Sequence, residues 1–136
     1  MPITLQVMKF GGTSLGNASR IEQAVDIVRE ALAESQIVIV VSAMSGVTNS
    51  LIHAANLSEA GEHQQASAIL RFLHSQHDSV SEALISSPTA RKNTLGIIHE
   101  LFSEAAHLCQ TTIDSRELTP GVLDVIAGLG ERLAAP

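Results

Sequence analysis

Lys9-Phe10-Gly11-Gly12-Thr13-Ser14 follows an apolar, strand-like run from Ile3 to Met8 and leads into a strongly helical segment. A lysine, two glycines and two hydroxyls at a strand-to-helix turn are what a phosphoryl group needs. Glycines let backbone N–H groups approach closely, a following helix N-terminus carries partial positive charge, and the lysine adds a full one. The P-loop pattern does not fit, because there the glycines precede the lysine. Here Lys9 ends the strand and would reach phosphate oxygens from the side opposite the glycine amides.

Working outward, Ile3, Leu5 and Val7 alternate, which predicts a short buried strand over Ile3–Lys9. Ser19 with Glu22 reads as a capping box, and apolar residues from Ile21 to Leu32 keep helical spacing to about Ala33. Ile37-Val38-Ile39-Val40-Val41 is an unbroken β-branched run, apolar on both faces, as in a parallel sheet covered on each side by helices. Strand, helix and strand make a right-handed βαβ unit. A second small-residue turn, Ser42-Ala43-Met44-Ser45-Gly46, ends the second strand. Both turns therefore lie at the carboxyl ends of parallel strands, the edge at which open α/β sheets bind ligands.

From about Val47 the pattern is helical, with helices expected over Thr48–Ala60, His63–Ile85 and Thr89–Asp114. Ser87-Pro88 and Thr119-Pro120 read as N-cap and first helical residue. An apolar pattern through Leu123, Val125, Ile126 and Leu129 runs up to Gly130-Glu131-Arg132-Leu133, which reads as the opening of another helix. Two strands are few for this many helices, so the chain is expected to be the N-terminal part of a larger fold.

The 136 residues, 45% apolar and 16% charged, suit one soluble globular unit with a real core. Three Phe, no Trp, no Tyr and a net charge of −6 argue against a nucleic-acid partner. No run approaches a membrane span and no signal peptide is evident, so neither a membrane partner nor export is expected. A single cysteine, Cys109, excludes an internal disulfide, suits a cytoplasmic setting and reads as a buried inert thiol.

The second turn, with Ser42, Ser45, Thr48 and Asn49, is open to two readings: part of a ligand site, or helix capping by Ser45. Glu131 is equally open between a ligand carboxylate and a first-turn partner of a helix dipole. The six histidines form no metal set by spacing. His74 and His77 could share a helix face, but no nearby Cys or third His completes a set; they and the pair His99 and His107 read as solvated helix histidines.

Three blocks, Val7–Ser14, Val40–Asn49 and Gly130-Glu131-Arg132-Leu133, resemble the N-terminal segment of an aspartate kinase (aspartokinase) of the amino-acid kinase superfamily, in the family's order. The resemblance implies an α/β, parallel-sheet amino-acid-kinase-like fold, truncated, with a large helical insertion after the second strand. Residues 1–136 would be the N-terminal portion of the catalytic domain. It implies transfer of the γ-phosphoryl of ATP, with Mg²⁺, to the side-chain carboxylate of L-aspartate, the first step toward lysine, threonine and methionine. Lys9 would be catalytic and, with Gly11, Gly12, Ser14 and Ser42, would hold phosphate; Thr48 and Glu131 would bind aspartate, Glu131 taking its ammonium. Family members carry a carboxylate-gripping arginine, an acidic catalytic residue, nucleotide-binding elements and regulatory domains beyond these blocks, so the chain alone is expected to be inactive. An open sheet edge and uncovered apolar faces predict a homo-oligomer. The competing readings are another acyl-phosphate-forming amino-acid kinase, and a non-catalytic helical interaction module with a remnant phosphate turn.

Overall fold

A computed structural model describes residues 4–136; Ile3, the first residue of the expected strand, lies outside the described residues. Strands β1 (Thr4–Phe10) and β2 (Ser35–Val41) pair in parallel, with Thr4 opposite Ser35 and Phe10 opposite Val41. Helix α1 (Ala18–Leu32) makes the crossover between them. Its cap is not the expected Ser19. Asn17 holds the extended cap conformation and its side chain accepts from the Arg20 N–H at 3.0 Å, which leaves Ser19 inside the helix. Ser19 and Asn17 are both good capping residues, and the backbone decides between them.

Four helices follow: α2 (Val47–Ala60), α3 (His63–Leu84), α4 (Pro88–Ser115) and α5 (Pro120–Ala134). Ser87 and Thr119 cap α4 and α5 as expected, accepting from the Ala90 and Val122 N–H groups, with proline in each first turn. The last helix departs from expectation. Gly130 and Glu131 do not open a new helix; α5 runs through them to Ala134, with Leu129 and Leu133 buried on one face. Gly130 serves close packing there, a Cβ on Gly128 would meet nothing within 4 Å, and neither glycine breaks the helix.

The hydrophobic core lies among these four helices. Leu51, Ala54 and Ala55 of α2, Leu73 of α3, Ile98, Phe102 and Ala105 of α4, and Ile126 and Leu129 of α5 form one cluster, joined at its edge by Ala43 and Met44. The strands, expected to be buried, are not: Leu5 is 62% exposed, Val7 66% and Ile39 50%. A two-stranded ribbon has two faces to cover, and α1 is the one helix of the unit that packs on β2. The α/β reading therefore holds for the parallel βαβ unit, while helices make up most of the chain.

A clasp ties the end of α2 to the end of α4, and so closes the mouth of the α3–α4 hairpin between them. Gly61 ends α2 with φ 82°, and a Cβ there would fall 1.7 Å from Arg116 Nη1. That guanidinium donates to the Ala60 carbonyl at 2.9 Å, and the Leu118 N–H donates to Glu59 Oε1 at 2.9 Å. Glycine is required at position 61 twice over, by its dihedral and by the space it leaves.

Candidate functional site

Lys9 is the penultimate residue of β1, exposed and opposite Val40. Gly11 continues extended at φ −80°, and Gly12–Leu15 then turn as a short 3₁₀ helix, with the Ser14 N–H donating to the Gly11 carbonyl at 3.0 Å. A single 3₁₀ turn thus stands between the glycines and α1, which starts at Ala18, one residue before the expected Ser19 cap. The amides available at the glycine turn are those of the turn itself. On the neighbouring strand, the Ser42 N–H donates to the Phe10 carbonyl at 3.0 Å, which carries the ladder one residue further and sets the two turns side by side.

The turns meet at Ala43, which is 4% exposed. A Cβ on Gly12 would stand 3.2 Å from the Ala43 carbonyl oxygen. From the other side, a Cβ on Gly130 would stand 2.8 Å from the Ala43 Cβ and 3.0 Å from Thr48 Oγ1. Neither neighbour is the free end of a flexible chain, so α5 can approach this closely only with glycine at 130. Blocks more than a hundred residues apart in sequence, Gly12 and Gly130, are thereby packed on one alanine.

Beside them, α2 starts without a side-chain cap. Its N-cap is Gly46, at φ 81°, and Ser45 is exposed and caps nothing, which settles that reading of Ser45 in the negative. Asn17, Ser87 and Thr119 occupy the corresponding amides of α1, α4 and α5. The Val47 N–H donates to the Met44 carbonyl at 3.1 Å, but the next amides of that first turn, at the carboxyl ends of both strands, have no side-chain cap and keep their capacity to bind an anion. Thr48 sits half-buried in that turn, while Glu131 is exposed near the end of α5, not in a first turn. Lys9 and Glu131 are not linked directly: the ion pairs among the described residues involve neither.

Residues 4–135 match the sequence profile of the amino acid kinase family. The chain belongs to the amino acid kinase family. Among curated proteins it is similar to an aspartate kinase of Pseudomonas fluorescens, 33% identical over 111 residues, covering 77% of this chain and 27% of that protein. An aspartate kinase of Stutzerimonas stutzeri is 30% identical over 138 residues, 93% of this chain and 33% of its own length. An aspartokinase of Rickettsia prowazekii is 46% identical over 55 residues, 40% of this chain and 12% of that protein. The chain thus spans a third or less of the length of these relatives.

Elsewhere in this amino acid kinase chain, the histidines differ from expectation. His77 is 3% exposed, not solvated. Its Nδ1 lies 2.7 Å from the Leu73 carbonyl, which makes Nδ1 the protonated donor and leaves the buried Nε2 without a partner. Burial pushes the His77 pKa below that of an ordinary histidine, against smaller opposing effects of the Leu73 bond and Asp78. His74 and His77 do share a face, both packed against Phe102, and His99 of α4 comes within reach of His74. Spacing along one helix could not reveal a partner on another. Cys109 is buried as expected, and burial raises its pKa, so the thiol stays protonated and inert. No helix among the described residues is long and apolar enough to cross a membrane.

Proposed function

We propose that this chain carries the phosphoryl-holding half of an aspartate kinase site, for transfer of the γ-phosphoryl of MgATP to the side-chain carboxylate of L-aspartate. The observation that supports it best is the meeting of the glycine turn, the serine turn and α5 at Ala43. In this reading Lys9 offsets charge on the phosphoryl group, with the Gly11 and Gly12 amides, Ser14 and Ser42 around it. Thr48 binds aspartate and Glu131 accepts its ammonium, a charge-assisted bond that separates amino acids from simple diacids. Phosphoryl transfer asks a protein mainly for positioning and charge stabilisation, and a lysine with fixed amides supplies both.

The uncapped first turn of α2 and the close backbone approach at Gly12 suit a phosphate ligand. Neither turn contains a carboxylate, so Mg²⁺ carried on the nucleotide would take its protein ligands from elsewhere. The reading therefore includes a chain that binds but does not turn over, the N-terminal portion of a catalytic domain acting in the cytoplasm on the route to lysine, threonine and methionine. The exposed apolar side chains Leu5, Val7 and Ile39 support self-association as part of the same reading.

The test is an amide-resolved titration of the protein with ATP, and separately with L-aspartate, in wild type and Lys9→Ala. ATP should move the amides of Gly11, Gly12, Ser42 and Thr48, and Lys9→Ala should weaken that response several-fold. ATP-induced shifts confined to other regions, or unaltered by Lys9→Ala, would sink the proposal. A defined oligomer that binds neither ligand would favour the helical interaction module.

A further inference from the structure

We propose that His74, Asp78 and His99 form a binding site for a divalent transition-metal ion of the zinc class, which pins α3 to α4. The inference stands apart from the phosphate turns and uses none of their residues.

The donors come from two helices. His74 and Asp78 lie one turn apart on α3, where residues at this spacing share a face. His99 projects from α4 onto the same spot, its ring set edge-on to His74 at 4.6 Å between centroids. One ligand atom from each of the three residues lies within 4.8 Å of the others. His99 Nε2 is 3.3 Å from Asp78 Oδ1, and His74 Nε2 is 3.7 Å from Asp78 Oδ2. Two donors each about 2.1 Å from a tetrahedral ion stand about 3.4 Å apart, so the trio needs only a small closure to hold one.

Hydrogen bonding alone leaves this cluster incomplete. His74 Nε2 is buried and has no hydrogen-bond partner, and its distance to Asp78 is too long for one. A buried, unpartnered ring nitrogen aimed at a carboxylate is costly unless something lies between them. A cation bridging both groups would satisfy the nitrogen and the carboxylate together. The His74 ring is also held in plane by stacking on Phe102, 4.8 Å between centroids and 18° between planes, so its lone pair is already oriented.

The donor set selects the ion. Two imidazoles and one carboxylate suit zinc, nickel, copper or cobalt, whereas Mg²⁺ and Ca²⁺ prefer all-oxygen shells. Three protein ligands leave a position for water, which the half-exposed His99 edge admits. Arg71 lines the adjoining hollow, but it is exposed and its long stem lets the guanidinium stay in water.

The test uses the whole chain without an affinity tag. Zn²⁺ titration by calorimetry should give one ion per chain, undisturbed by excess Mg²⁺, and Co²⁺ should give a visible absorption band from nitrogen ligation. Zn²⁺ should raise the melting temperature of wild type. His99→Gln should weaken binding at least about tenfold, since even loss of a ligand's outer partner has that effect. His107→Gln, on the same helix, should leave binding unchanged. Because His74 is packed on Phe102, a poorly folded His74→Gln would shift the comparison to the exposed His99. Absence of binding at millimolar Zn²⁺, or binding that survives His99→Gln, would overturn the proposal.

Discussion

The βαβ unit and the four-helix body obey different rules. In the body, Leu51, Ile126 and Leu129 are fully enclosed, and each helix is covered by two or more others. In the βαβ unit, the most apolar segment of the chain, Ile37–Val41, lies largely in the open. Composition sets how much a segment gains from burial, but the number of packed neighbours sets how much of that gain is realised. Stability should therefore reside in the helices, while the glycine and serine turns sit where the open strands reach that stable body.

The comparison breaks most visibly in the cores. Leu129→Ala should cost about 2–5 kcal/mol in denaturant unfolding, whereas Val38→Ala on the exposed strand should cost well under about 1 kcal/mol. Equal losses would mean that the two regions share one core. The junction can be probed next. Gly130→Ala forces a methyl group into the space of Ala43 and Thr48 and should cost about 1–3 kcal/mol, with amide shifts at Thr48 and at Gly12. Shifts confined to α5 would show that the turns are mechanically separate from it.

The smallest effect concerns acid. His77 is held neutral by burial in the helical body, so its folded pKa lies below its unfolded value. The unfolded chain then takes up the proton first. Stability should be flat above the unfolded value of about 6.5, fall as pH drops through it, and level off below the lowered folded value. Melting temperatures from pH 8 to 5 should show this fall in wild type and lose part of it in His77→Leu. An identical profile in the two would place the acid sensitivity elsewhere.

What could be read from the sequence was local. The Ser87-Pro88 and Thr119-Pro120 starts depend on residues within one turn, and both appear as expected. The parallel pairing was legible because a βαβ unit has one favoured hand and a strand-like run at each end. Burial of the strands was not, since it depends on neighbours that a pattern of apolar residues cannot count. Gly130 was misread for a related reason: a glycine in an apolar helix marks either a break or a close approach, and only the position of Ala43 distinguishes them. Of the site, both turns were visible, but the uncapped start of α2 was hidden behind a serine that could have capped it. The cluster of His74, Asp78 and His99 joins two helices and left no signal in spacing along either.

The Arg116 clasp has a kinetic consequence. It joins positions 56 residues apart, and closing a flexible loop of that length costs about 3–4 kcal/mol of chain entropy. Once α3 and α4 have zipped together, their far ends already lie side by side and most of that cost has been met. The clasp therefore closes late, after the barrier to folding, and acts as a brake on opening: it lengthens the lifetime of the native chain while contributing little to the speed with which it forms.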